Sequence, residues 1–194
     1  VQIKPLPFPL PDGPLATLAG AWAGDPRPDL LVLPGGTAWP FLLYRKEDRS
    51  LQKRELDVLS GIDGDKIRWS VAVRVDLDSD NRLDVLLLGR RPSGVWVWAA
   101  VRQLGQRFWK LRGSGELGKG EVRDAVPVDL DQDGFPDLVV TRRDGPPWML
   151  KNFLGERWYK TSEPKRTASQ GWGGVSLGEL FGCLRALFFF GGYQ

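Results

Sequence analysis

The chain has no histidine and only one cysteine, Cys183, among its 194 residues. Without imidazole it cannot itself supply histidine zinc ligands, serine–histidine triads or histidine general bases. A lone cysteine excludes an internal disulfide, and the apolar neighbours of Cys183 favour a small buried residue over a nucleophile. The acidic residues are clustered in a way that favours metal ligation over a glycosidase acid–base pair. We therefore expect a protein that is not an enzyme.

An initial methionine, a signal-like apolar core and a long hydrophobic run are also missing, which predicts a processed or trimmed chain that is not transmembrane. The composition is otherwise typical of a folded domain with many turns, at 42% hydrophobic and 26% charged residues with 24 glycines and 15 prolines. Residues 1–13 are rich in proline, which predicts an extended segment.

An acidic stretch at residues 129–137 has aspartate at positions 1, 3, 5 and 9 of a nine-residue loop and glycine at position 6. Calcium takes about six to eight oxygen ligands, and alternate-residue spacing turns the first three carboxylates inward together. Gly134 permits the bend, and the carbonyl of Phe135 is available at position 7. A helix-loop-helix calcium site would need glutamate at position 12, where Val140 stands instead. A turn between strands is therefore predicted to hold the cation.

The same pattern occurs at residues 76–84, with Asn81 in the place of the glycine. Asparagine also tolerates the left-handed conformation. The ninth-position aspartates Asp84 and Asp137, together with Asp29, recur at intervals of 55 and 53 residues, and an apolar run follows each. Units of this length with several short strands predict an all-β propeller or partial propeller of four-stranded blades. The predicted units are residues 14–59, 60–113 and 114–162.

Each acidic loop is preceded by Val-Asp-Leu and followed by an aliphatic strand, and in this the chain resembles the FG-GAP (VCBS) repeats of integrin α-chain propellers. The resemblance covers residues 14–162 and implies two Ca²⁺ ions, each in a loop that joins the first two strands of a blade. The ligands that it implies are the carboxylates of Asp76, Asp78, Asp80, Asp84, Asp129, Asp131, Asp133 and Asp137, with backbone oxygens of Arg82 and Phe135. In the first unit only Asp25 and Asp29 remain of the four acidic positions, so we expect no metal there.

Residues 163–194 form a degenerate, incomplete fourth unit in which the acidic ligands are missing. Three alternatives follow: a small ring completed by the N-terminal segment, an arc packed against another chain, or a fragment. Within this unit, residues 175–190 fit either a strand in the register of the repeat or an amphipathic helix able to contact a membrane surface. Glu179 and Arg185 interrupt this stretch, which is too short to span a bilayer.

The repeat predicts a non-enzymatic, calcium-stabilised structural or interaction subunit of a larger protein assembly; a carbohydrate-binding or adhesion propeller is the alternative. The net charge of +3 and several basic clusters are compatible with an acidic protein or a glycan, whereas no nucleic-acid-binding motif is present. The nine tryptophans are expected to pack between blades. Weak calcium loops suit calcium-rich compartments, so a secreted, periplasmic or organelle-lumenal location is expected.

Overall fold

A computed structural model describes residues 14–22, 27–62, 66–105, 109–155 and 157–160. The extended segment predicted at residues 1–13 and the degenerate fourth unit at 163–194, with its strand or helix at 175–190, lie outside these residues. Among the residues described, no helix has both the length and the apolar character needed to cross a membrane.

The described chain forms three four-stranded antiparallel sheets, in each of which the order of strands in space follows their order in the sequence. The first sheet contains β1 (Pro14–Gly20), β2 (Asp29–Pro34), β3 (Phe41–Arg45) and β4 (Leu51–Glu55), and a 3₁₀ helix (Asp57–Gly61) follows it. The second contains β5 (Arg68–Val75), β6 (Asp84–Arg90), β7 (Val95–Gln103) and β8 (Trp109–Lys119). The third contains β9 (Val122–Val128), β10 (Asp137–Arg142), β11 (Trp148–Phe153) and β12 (Arg157–Lys160).

The middle sheet packs between the other two and is buried on both faces. Successive side chains of a strand point to opposite sides, so alternate residues enter different cores. On β6, Val85 and Leu87 enter a core shared with the first sheet, whereas Leu86 and Leu88 enter a core shared with the third. The apolar run of this strand is therefore explained by two sheets packing against it. This confirms the predicted all-β fold as a partial propeller, and the described residues do not close a ring.

Tryptophans fill the spaces between the sheets, as expected from the sequence. Trp22 and Trp109 join the first two sheets with ring centroids 5.8 Å apart, and Trp98 and Trp158 join the second and third at 5.9 Å. Trp69 is buried in the core between the first and second sheets. Aromatic pairs at such distances contribute about 0.5–1.5 kcal/mol beyond their buried area. The rings thus stabilise the stacking of the sheets.

The end of the second unit differs from the boundary drawn at residue 113, because β8 continues to Lys119. Glycines in this strand make room for the indole of Trp98. A Cβ atom at Gly113 would lie 3.0 Å from the Trp98 ring, and one at Gly115 would lie 2.9 Å from it. Glycine weakens a strand and has no side chain to show alternation, so the three glycines after Arg112 hid the end of this strand in the sequence.

Candidate metal centres

The two acidic stretches form equivalent loops at one end of neighbouring sheets. Loop 1 (residues 76–84) joins β5 to β6, and loop 2 (residues 129–137) joins β9 to β10. The hydroxyl of Ser79 in loop 1 donates a hydrogen bond to the carbonyl of Gly134 in loop 2 at 3.0 Å. Each loop therefore lies between the first two strands of its sheet, as the resemblance implied, and the two loops are in contact.

Both loops bend through left-handed residues at positions 4 and 6. At position 6, Asn81 has φ of 62° and Gly134 has φ of 87°, as predicted from their conformational freedom. At position 4, Ser79 and Gln132 have φ of 59° and 60°. Neither residue type favours this conformation, so residue type alone does not predict the second left-handed turn. The surrounding hydrogen bonds must hold it.

The position-1 aspartate organises each loop by accepting two backbone hydrogen bonds. Oδ1 and Oδ2 of Asp76 accept the amide hydrogens of Asp80 and Asn81 at 3.1 and 2.8 Å. Asp129 makes the same two contacts in loop 2, at 3.2 and 2.9 Å. The carboxylate thus fixes the turn through the amides of positions 5 and 6.

The position-5 aspartate repeats this pattern on a smaller scale. Asp80 Oδ1 accepts the amide hydrogen of Arg82 at 2.9 Å, and Asp133 Oδ1 accepts that of Phe135 at 3.0 Å. These contacts use the amides of the two residues whose carbonyls were predicted as ligands. The roles of the Arg82 and Phe135 carbonyls stay predictions.

Carboxylate oxygens converge in both loops, although from different positions. Within each of two groups, the oxygens all lie within 4.8 Å of one another, which is close enough for one ion to bridge them. In loop 1 the group contains Asp76, Asp78 and Asp84, and in loop 2 it contains Asp129, Asp131 and Asp133. Of the predicted acidic ligands, Asp80 and Asp137 are therefore not part of the converging group in their own loops.

The position-9 aspartate is a buried anchor for the backbone in all three units. Asp84 accepts the amide hydrogens of Leu77 at 3.0 Å and Gln103 at 2.7 Å. Asp137 accepts those of the corresponding residues Leu130 and Asn152, at 3.2 and 2.8 Å. In this way each carboxylate ties its loop to the third strand of the same sheet.

The first unit shows that this anchor does not depend on the other acidic positions. Asp29 is buried and accepts the amide hydrogen of Trp22 at 3.0 Å, although the first unit lacks aspartate at positions 1 and 3. Sequence reasoning treated Asp84 and Asp137 only as metal ligands. The persistence of Asp29 in the unit where no metal was expected was the available signal of this structural role.

Two amide side chains that the sequence reasoning missed connect neighbouring sheets. Gln103 Nε2 donates to the carbonyl of Trp22 in the preceding unit at 2.7 Å, and Asn152 Nδ2 donates to the carbonyl of Leu77 in loop 1 at 2.9 Å. With the position-9 contacts they form one continuous chain of buried hydrogen bonds across three sheets. We call it the inter-sheet chain, and it runs through Asp29, Trp22, Gln103, Asp84, Leu77, Asn152, Asp137 and Leu130.

The hydrogen bonds from backbone amides do not fully stabilise the negative charge of the loop carboxylates. Burial raises the pKa of Asp84 to about 6, against the opposing effect of hydrogen bonds from the Gln103 and Leu77 amides. Burial likewise raises the pKa of Asp137, and raises that of Asp78 with a further contribution from nearby Asp80. A raised carboxyl pKa means that the ionised form is disfavoured where it lies. A cation among these oxygens would offset that cost.

One basic side chain from the third strand of the same sheet reaches each loop. Arg102 Nη2 donates to Asp80 Oδ2 at 3.0 Å, and its Nε lies 2.5 Å from Asp78 Oδ2 without hydrogen-bond alignment. Lys151 forms an ion pair with Asp131 in loop 2. The other oxygen of Asp78, Oδ1, is buried and has no hydrogen-bond donor among the described residues. Loop 1 therefore contains a free buried oxygen beside a fixed positive charge.

A comparison with protein families identifies the same region. Residues 76–140, from the start of loop 1 into β10, match the model of an FG-GAP-like repeat. No curated protein matches the chain. Repeats of this type are typical of β-propeller modules for protein interaction or adhesion, usually extracellular and typically without enzymatic activity.

Proposed function

Because residues 76–140 are an FG-GAP-like repeat, as the resemblance of the two loops indicated, we propose that the chain is a non-enzymatic propeller module stabilised by calcium. In this proposal it is a structural, protein-binding subunit of a larger assembly in a secreted, periplasmic or lumenal compartment. The observation that carries the calcium part is the convergence of three carboxylates in each of two equivalent loops.

The donor set fits a hard cation. All of the converging side chains offer carboxylate oxygens, which calcium prefers, and none offers nitrogen or sulfur. The unpartnered buried Oδ1 of Asp78 and the raised pKa of Asp84 both indicate a place where positive charge would stabilise the fold. The proposed ligands in loop 1 are Asp76, Asp78, Asp80, Asp84 and the Arg82 carbonyl; in loop 2 they are Asp129, Asp131, Asp133, Asp137 and the Phe135 carbonyl.

In each loop, the aspartates at positions 1 and 9 would have separate structural roles. Bound calcium supplies charge compensation to the acidic loop. Asp76 and Asp129 hold the turn through the amides of positions 5 and 6, and Asp84 and Asp137 anchor the loop to the third strand of its sheet. Calcium would therefore stabilise the connection between the first two strands of a sheet, together with the inter-sheet chain that passes through that connection.

Calcium is expected to raise the thermal midpoint of unfolding relative to the protein in EDTA. One ion that binds only the folded state contributes about 2.7 kcal/mol at a hundred times its dissociation constant, or roughly 5–10 °C for a domain of this size. Asp131→Asn removes a loop 2 ligand whose carboxylate pairs with Lys151 and accepts no backbone hydrogen bond among the described residues. It should lose at least half of the calcium-dependent shift in calorimetry while keeping its midpoint in EDTA.

The matched control for that experiment is Asp57→Asn, which removes one exposed carboxylate from the 3₁₀ helix outside both loops. It should keep the whole calcium-dependent shift. Superimposable melting curves in calcium and EDTA, together with no ion retained in equilibrium dialysis, would contradict the calcium proposal.

The outer face of the third sheet supports the role of a protein-binding subunit. Val126 on β9, Phe153 on β11 and Tyr159 on β12 are each about half exposed on this face. They point away from the core that the sheet shares with its neighbour, because β9, β10 and β11 pair in a register that places Val139 beside both Val126 and Met149. Several exposed apolar side chains on one face of a sheet favour contact with another protein surface.

In calcium, the isolated chain is expected to run as more than a 21.7 kDa monomer in size-exclusion chromatography with light scattering. Val126→Lys should shift it toward the monomer, because it places a charge in the apolar face. Leu104→Lys is the matched control, since Leu104 is 45% exposed, close to the 47% of Val126, but lies in the turn after β7. A monomer at all concentrations tested would contradict the subunit role.

The alternative of a carbohydrate-binding propeller has less support in the described residues. Aromatic side chains that stack on sugars must be accessible. Trp22, Trp69 and Trp148 are each at most 2% exposed, so these three rings serve packing. The exposed rings of Phe153 and Tyr159 lie on the apolar face proposed for a protein partner. We therefore propose a protein partner rather than a glycan.

A further inference from the structure

The basic residues at the two loops occupy equivalent places in the repeat. Arg102 and Lys151 each stand one residue before the amide side chain of the inter-sheet chain, Gln103 or Asn152. Strand pairing places them in the same register, since Val85 lies opposite Val101 in the second sheet and Leu138 lies opposite Leu150 in the third. Each sheet thus delivers one cationic side chain from its third strand to its own acidic loop.

The two cations engage their loops to different extents. The guanidinium of Arg102 contacts both Asp78 and Asp80, and the side chain is 26% exposed. Arg82 adds a longer contact to Asp80, at 4.0 Å. In loop 2, Lys151 pairs with one carboxylate among the described residues, that of Asp131, whose side chain is 41% exposed. The carboxylates of loop 1 are therefore more fully paired by the protein itself.

An arginine in this position competes directly with a metal ion. A planar guanidinium binds two acceptors at once through fixed N–H groups, whereas a lysine ammonium is a flexible point charge on a mobile stem. Asp78 belongs to the converging oxygens of loop 1 and is paired with Arg102. A dication that binds Asp78 must either displace the guanidinium or lie beside it, and both reduce the affinity.

We propose that Arg102 is a built-in counter-ion that makes loop 1 the weaker of two calcium sites and loop 2 the tighter one. This inference rests on the proposed calcium binding. Calcium fills loop 2 first, and loop 1 binds its ion only at higher concentration, because the ion must displace the Arg102 guanidinium from Asp78 or lie beside it. Because Gln103 holds the carbonyl of Trp22, movement of Arg102 acts next to the contact between the first and second sheets.

The test is calcium titration by isothermal calorimetry on the whole chain, with Asp131→Asn used to assign the sites. The wild type should show two affinities, and Asp131→Asn should remove the tighter one. Arg102→Gln should tighten the weaker site roughly ten- to hundredfold, the worth of a charge-assisted hydrogen bond. Lys151→Gln should tighten the other site by less than about tenfold, since exposed ion pairs contribute little.

A second variant keeps the test decisive if Arg102→Gln disturbs folding. Arg102→Lys retains the charge but loses the two-point contact, and it should give an intermediate affinity at loop 1. Equal affinities in the wild type, or a weaker loop 1 site in Arg102→Gln, would overturn this inference and leave calcium binding intact. A complete lack of calcium binding in the wild type and in every variant would overturn the proposed function itself.

Discussion

Asp84→Ala is expected to destabilise the protein even when calcium is absent. The substitution leaves the buried amides of Leu77 and Gln103 without their acceptor. Each unsatisfied buried group costs about 1–3 kcal/mol, which gives about 2–6 kcal/mol for the pair. Burial raises the pKa of this carboxyl, so removing its charge returns part of that free energy and places the expected loss in the lower half of the range. Urea unfolding in EDTA measures it.

Two comparisons separate the anchor role of Asp84 from metal ligation. Asp29→Ala removes the corresponding contact to Trp22 in the first unit and should also be destabilising, with no change in calcium binding. Asp57→Ala removes an exposed carboxylate and should change stability by less than about 0.5 kcal/mol. If Asp84→Ala matched the wild type in EDTA and lost stability only in calcium, the carboxylate would be a metal ligand alone.

The repeat and its loops follow from local sequence, which is why they could be predicted. Alternate aspartates with Asn81 or Gly134 at position 6 require a tight turn, and both residues have the expected positive φ. The apolar runs that follow the loops became the central strands β6 and β10. Each loop is nine residues long and its strand follows directly, so spacing and residue type are sufficient to find both in each unit.

The contacts between distant parts of the chain could not be predicted in the same way. Gln103 reaches Trp22 across 81 positions, and Asn152 reaches Leu77 across 75. Such contacts depend on how the sheets stack, and no local pattern encodes that. The pairing of Arg102 with Asp78 similarly depends on the register between β6 and β7. One signal was present in the sequence, because a basic residue followed by an amide residue lies near the end of the third strand in both acidic units.

The inter-sheet chain explains why the first unit has an aspartate, Asp29, at position 9 although no metal is expected there. The N–H groups that form the inter-sheet chain all have acceptors, and the carboxylates of Asp84 and Asp137 each join one loop to one neighbouring strand. Buried polar networks stabilise a structure when every group has its partner and destabilise it when one is missing. Loop conformation, sheet stacking and calcium binding therefore share the same few residues, and a change at one of them should affect its neighbours.

Asn152→Leu should destabilise two sheets at once. Asn152 is fully buried, and its Nδ2 donates to the carbonyls of Leu77 in loop 1 and Pro136 in loop 2 at 2.9 and 3.2 Å. Leucine has a similar size but no donor, so both carbonyls lose a hydrogen bond, at about 1–3 kcal/mol for each one left unsatisfied. Urea unfolding should show the loss, and hydrogen exchange should show weaker protection in loop 1 as well as in the third sheet.

Met149→Leu is the matched control, because Met149 lies on the same strand, is 6% exposed and takes no part in the inter-sheet chain. A volume-conserving change there should cost less than about 1.5 kcal/mol and leave the exchange of loop 1 unchanged. The hydrogen-exchange pattern distinguishes the two roles. A side chain that only packs within its own sheet would not change the exchange rates of amides in the second sheet. Faster exchange confined to the third sheet in Asn152→Leu would show that the sheets are stacked by apolar contact alone, and that the hydrogen bond to Leu77 contributes little to holding them together.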